Sequence, residues 1–221
     1  MIEANVCRNN SNKSNKKAEV AEPARDNSQH NADKPQSAKR KVILVTDGDG
    51  VAQSAVELAT HNVGGRCISM SGGNPTPISG QMLADLIRSA EHDPVVVMVD
   101  DRGYEGEGEG EQVMEYILQQ PDFDILGIVA VSSNGKDCYG INVDFSITND
   151  GTVVQEAVDK EGNPTGTTNI CGDTLSILEG RKDILIVGIG DPGKMEFKDE
   201  IVKGAPVTTK ALQEIIKRTR V

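Results

Sequence analysis

Short runs of unbroken apolar residues recur along this chain, and a glycine-rich or acidic stretch follows almost every one. Val42–Val45 runs into TDGDG, Arg66–Met70 into SGGNPTP, Val95–Val99 into DDRGYEGEGEGE, Ile125–Val131 into SSNG and Asp183–Val187 into GIGDPGK. A strand with one wet face alternates polar and apolar residues. Runs that are apolar at nearly every position are buried on both faces, as in a parallel sheet covered by helices. Between them lie helical patterns: Val51–His61, Ile78–Ala90 with Met82, Leu83, Leu86 and Ile87 on one face, Gln112–Gln120, and Val207–Lys217 with Leu212, Ile215 and Ile216 turned inward. This alternation predicts an α/β fold, a three-layer sandwich with a mostly parallel, Rossmann-like sheet. From Asn142 the period changes to two, through Val143, Phe145 and Ile147, and the pattern resumes after Asp150 and Gly151 at Val153 and Val154. That switch predicts an inserted or edge β-hairpin.

Residues 1–40 are rich in Asn, Ser, Lys, Ala and Pro and have no apolar period. They read as a disordered tail, with residues 41–221 forming a single α/β domain. The chain carries 34 acidic against 23 basic residues, a net charge of -11. Residues 1–41 hold nine Lys and Arg against five Asp and Glu, which makes the tail +4 and leaves the body at -15. Such a body disfavours nucleic acid, whose phosphates are met by clustered basic residues. No Trp and only six Phe and Tyr also leave few platforms for base stacking. The apolar runs fall far short of the roughly 20 residues that a membrane-spanning helix needs. No apolar segment at the N-terminus suggests a signal peptide. Cys7, Cys67, Cys138 and Cys171 form no CxxC pair and read as four free thiols, and three isolated histidines do not suggest zinc.

In sheets of this kind, ligands bind in the crevice beyond the carboxyl ends of the strands. Asp47 and Asp49 follow one predicted strand, and Asp100 and Asp101 another. Meeting across that crevice, the four would form a hard-oxygen cluster of the kind that Mg2+ prefers. The same Asp and Gly residues also suit tight turns and helix N-caps, so both readings stay open. GIGDPGKM satisfies GxxxxGK after a strand, making Gly188, Gly193 and Lys194 a phosphate-loop candidate. Met195, however, stands where Ser or Thr would hold the metal, and no clear amphipathic helix follows. EGEGEGE places Glu105, Glu107, Glu109 and Glu111 in a loop that either binds divalent cations such as Ca2+ or a basic partner surface, or is simply solvated, with a helix starting at about Glu109. No nucleophilic triad is visible, because no serine stands in a GxSxG setting.

Together KVILVTDGDG, GGRCISMSGGNPTPISG, DPVVVMVDDRGYEGEGEGEQ, GDTLSILE, VGIGDPGKM and KGAPVTTKALQ resemble the stage V sporulation protein AE family of endospore-forming bacteria, over Lys41 to Ile216. The likeness is to its soluble member, not to the membrane-spanning product of similar name. The resemblance implies a non-enzymatic accessory or regulatory protein of spore formation and germination. Its partners would be the membrane proteins of the stage V sporulation A group, which move dipicolinic acid and calcium. It would lie in the spore, soluble or peripheral at the inner spore membrane. No catalytic or ligand residues come with the resemblance. The residues themselves leave an alternative, a Mg2+-dependent phosphate- or nucleotide-binding α/β domain of topoisomerase-primase type or with a degenerate phosphate loop.

Overall fold

A computed structural model describes residues 38–103, 108–133 and 140–219. The expectations for the tail before residue 38, and for Glu105 and Glu107, lie outside the described residues. Seven strands form one sheet: β1 (Arg40–Val45), β2 (Arg66–Cys67), β3 (Val95–Met98), β4 (Phe123–Val131), β6 (Phe145–Ile147), β7 (Val153–Val154) and β9 (Ile186–Ile189). Their order is β2-β3-β1-β4-β9-β6-β7. All neighbours are parallel except β6 and β7, which form the antiparallel hairpin at one edge.

The unbroken apolar runs are explained by burial on both faces. Val42, Leu44, Val95 and Val97 point into one core with α2 (Gly80–Ser89) and α3 (Glu109–Leu118). Ile43, Val45, Val96 and Met98 point into the other with α1 (Gly50–Asn62) and α4 (Pro206–Thr219). Each such strand residue is fully buried. Burial of one Val, Leu or Ile side chain contributes about 1.5–3 kcal/mol, and here both faces of each strand contribute. This is the three-layer α/β sandwich that the sequence pattern predicts.

Several details depart from the sequence reading, among them the strand expected over Asp183–Val187, which lies at Ile186–Ile189. The strand expected over Arg66–Met70 stops at Cys67, and Ser69–Ser71 forms a 3-10 turn. Ser71 Oγ donates to the Ile68 carbonyl at 2.7 Å and accepts from Met98 N at 2.8 Å, which turns the chain off the sheet. A second, two-stranded sheet pairs β5 (Gly140–Asn142) with β8 (Asn169–Cys171). Strands of three residues so far apart in the chain leave no periodic signal. Cys171 is disulfide-bonded, which corrects the expectation of four free thiols. Cys67 is free, and burial together with the Glu57 charge pushes its thiol up to about 12, so it is no reactive thiolate.

Candidate functional site

In the order β3-β1-β4-β9, the chain leaves four neighbouring strands at the same edge of the sheet. Val45 lies level with Met98 and Val129, and Val131 level with Ile189. Thr46 and Asp47 leave β1 there, Asp100 follows β3, Ser132 follows β4 and Asp191 follows β9. These exits line a crevice of 180 Å³, closed further by Asn74, Lys160, Asp173 and Lys194. Its floor is tied by Thr46, whose Oγ1 accepts from Val131 N at 3.0 Å.

Close backbone approach sets the wall beside β1. A Cβ on Gly48 would meet the Gly73 carbonyl oxygen at 2.6 Å, so only glycine lets the loop after β2 fold over this end of the sheet. Gly73 N donates to Gly48 O at 2.7 Å and Gly48 N to Asp100 Oδ2 at 3.1 Å, joining the exits of β1, β2 and β3.

The structure separates the four aspartates that the sequence groups together. Asp47 and Asp49 face the crevice, and Asp100 also lines it. Both Asp100 oxygens are already occupied by backbone amides, from Gly48 and from Arg102 at 2.9 Å. Asp101 turns away to the start of α3 and accepts from Gly110 N and Glu111 N. There it meets the positive end of the helix. Burial and the Glu111 charge still raise its carboxyl to about 6. Glu111 is itself buried and accepts from Ser176 N at 3.0 Å and Ser176 Oγ at 2.5 Å. Glu109 opens α3.

The residue that joins Asp47 and Asp49 is Asp191. One oxygen from each of the three lies within 4.8 Å of the others. Burial, the largest cause, and the charges of Asp49, Asp100 and Asp191 raise Asp47 to about 7. Asp49 caps α1, its Oδ1 accepting from Val51 N at 2.8 Å and Ala52 N at 2.9 Å. Its other oxygen accepts from Lys194 Nζ at 2.8 Å. Burial would raise Asp49, but the Lys194 ammonium and the α1 amides outweigh it and hold the carboxyl below its usual value. Lys194 also stands 3.1 Å from Asp191 Oδ1, and Lys160 Nζ 3.5 Å from Asp191 Oδ2. Burial would lower Lys194, but these carboxylates raise it.

Of the phosphate-loop candidates Gly188, Gly193 and Lys194, Lys194 lines the crevice, beside Asp191 of the same loop. Gly188 is a packing position inside β9, where a Cβ would meet Ser146 Oγ at 2.4 Å. Gly193 takes a left-handed φ of +75° beside Val51. No helix starts directly at Lys194, the next helical turn being the 3-10 turn Ile201–Lys203. Met195, Glu196 and Phe197 all have positive φ, and α4 begins only at Pro206. A phosphate loop uses the N-terminus of the helix that follows it as its anion site, and that helix end is missing beside Lys194. The sequence reading passed over Asp191, although it leaves a buried strand just as Asp47 and Asp100 do.

The family model described as Stage V sporulation protein AE1 matches residues 41–219. The chain belongs to this family. Membership makes it a sporulation-related protein, and the matched span contains every residue of the crevice. No curated protein and no solved structure matches the chain.

Proposed function

We propose that this protein is a non-enzymatic accessory of spore formation and germination. It is soluble or held peripherally at the inner spore membrane, and works with the membrane proteins of the stage V sporulation A group that move dipicolinic acid and calcium. The observation that carries this reading is the family match over residues 41–219. No helix among the described residues is long and apolar enough to cross a membrane. In this reading the partners therefore supply the path through the bilayer. The body charge of -15 suits basic partner faces, and the oxygen-lined crevice suits a hard cation such as calcium.

Two measurements test the proposal. A tagged full-length chain, recovered from sporulating cells in mild detergent, should bring down membrane proteins of that group. Spores lacking the chain should differ from wild type in dipicolinic acid content or in its release during germination. Recovery without those partners, combined with unchanged content and release, would remove the proposed role and leave only the family assignment.

A further inference from the structure

Asp191 is only 4% exposed, yet its Oδ1 is sealed from solvent and receives no hydrogen bond of acceptable geometry. The Lys194 ammonium lies 3.1 Å away, close enough for an ion pair, but its directed hydrogen bond goes to Asp49. Buried carboxylates are normally hydrogen-bonded, because an unsatisfied oxygen keeps most of its desolvation cost. Asp47 has no cationic partner among the described residues. One oxygen of each of the three carboxylates thus lies within 4.8 Å of the other two. The two ammoniums beside them, Lys194 between Asp49 and Asp191 and Lys160 at 3.5 Å from Asp191 Oδ2, leave Asp47 without a cation and Asp191 Oδ1 without a directed hydrogen bond.

We propose that the crevice is a divalent-cation site to which Asp47, Asp49 and Asp191 each contribute one oxygen, and that the bound ion displaces Lys194. The ammonium acts as a tethered counter-ion, holding two of the ligands apart from solvent until the ion arrives. Three carboxylates do not fill the six to eight positions of Ca2+ or the six of Mg2+. The remaining positions fall to water in the 180 Å³ crevice, where Asn74 and Ser132 can hydrogen-bond it. Asp100 stays with its backbone amides and helps hold the crevice walls, while Asp101 takes no part. The proposal does not rest on the sporulation role, because it is read on purified protein.

The test is calorimetric titration of the full chain, stripped with chelator, with Mg2+, Mn2+ and Ca2+ in turn. At least one ion should bind saturably at a single site. Asp191→Asn and Asp47→Asn should each weaken binding by roughly tenfold or more, through loss of a charge in contact with the ion. Lys194→Met should tighten it by a similar factor, since the competing ammonium is gone. Asp124→Asn, exposed near the opposite end of β4, should leave binding unchanged. Melting curves establish that each variant is folded, and Asp47→Asn carries the ligand test if Asp191→Asn is not. Absence of saturable binding with all three ions overturns the proposal, as does a Lys194→Met variant that binds no tighter than wild type.

Discussion

Asp199 shows how the crevice loop is anchored, and its removal has a calculable effect. The residue is fully buried, and its carboxylate accepts four hydrogen bonds. Oδ1 receives Val207 N at 2.7 Å and Thr208 N at 3.1 Å, at the start of α4. Oδ2 receives Gly193 N at 2.9 Å and Thr208 Oγ1 at 2.5 Å. One side chain therefore caps α4 and fixes the loop that carries Asp191 and Lys194. Asp199→Ala removes a cap worth about 0.5–2 kcal/mol. It also leaves the Gly193 amide and the Thr208 hydroxyl without this acceptor, at about 1–3 kcal/mol for each that stays dry. With both groups dry, a total of about 2.5–8 kcal/mol follows, equivalent to a fall of roughly 5–30 °C in Tm for a domain of this size. Asp199→Asn keeps one acceptor oxygen but turns an amide towards Gly193 N, so it should fall between Ala and wild type. Urea unfolding followed by circular dichroism measures both. A loss below about 1 kcal/mol for Asp199→Ala, at unchanged m-value, would refute the assignment of this carboxylate as the anchor.

Two further predictions concern the same edge of the sheet. Asp47 is raised from its ordinary 3.8 to about 7. Between those values the folded state holds a proton that the unfolded state releases, so stability should fall as pH rises from about 4 to 7, by roughly 2–4 kcal/mol. Asp101, raised to about 6, acts in the same direction. Asp47→Asn should flatten this slope in unfolding curves taken at pH 5 and pH 8; an unchanged slope would show that Asp47 is not its source. In the turn after Lys194, Met195 is 1% exposed and Phe197 is 71% exposed. Met195→Ala should therefore cost about 2–5 kcal/mol, while Phe197→Ala should stay within about 0.5 kcal/mol of wild type. Equal losses would contradict the inward and outward assignment of these two side chains.

The strands and the hairpin were legible because each leaves a distinct period. Val42–Val45 and Val95–Met98 are apolar at every position because helices cover both faces of the sheet. Phe145–Ile147 belongs to a period-two stretch and pairs with Val153–Val154 across the Asp150–Gly151 turn. Strand order left no such trace, and the site depends on it. Asp100 and Asp101 look like a pair in the sequence, yet one faces the crevice and the other caps α3. Asp191 joins Asp47 only because β9 lies beside β4, itself next to β1. Its place within GIGDPGK drew the reading towards Lys194, whose ammonium proves to neutralise the carboxylates beside it.

Crystals of the full chain grown with Mn2+, with diffraction recorded at the manganese absorption edge, test the crevice most directly. An anomalous peak between Asp47, Asp49 and Asp191, with the Lys194 side chain swung away from Asp49, is the predicted result. No peak at that point at millimolar Mn2+, with Lys194 still bridging Asp49 and Asp191, would contradict it.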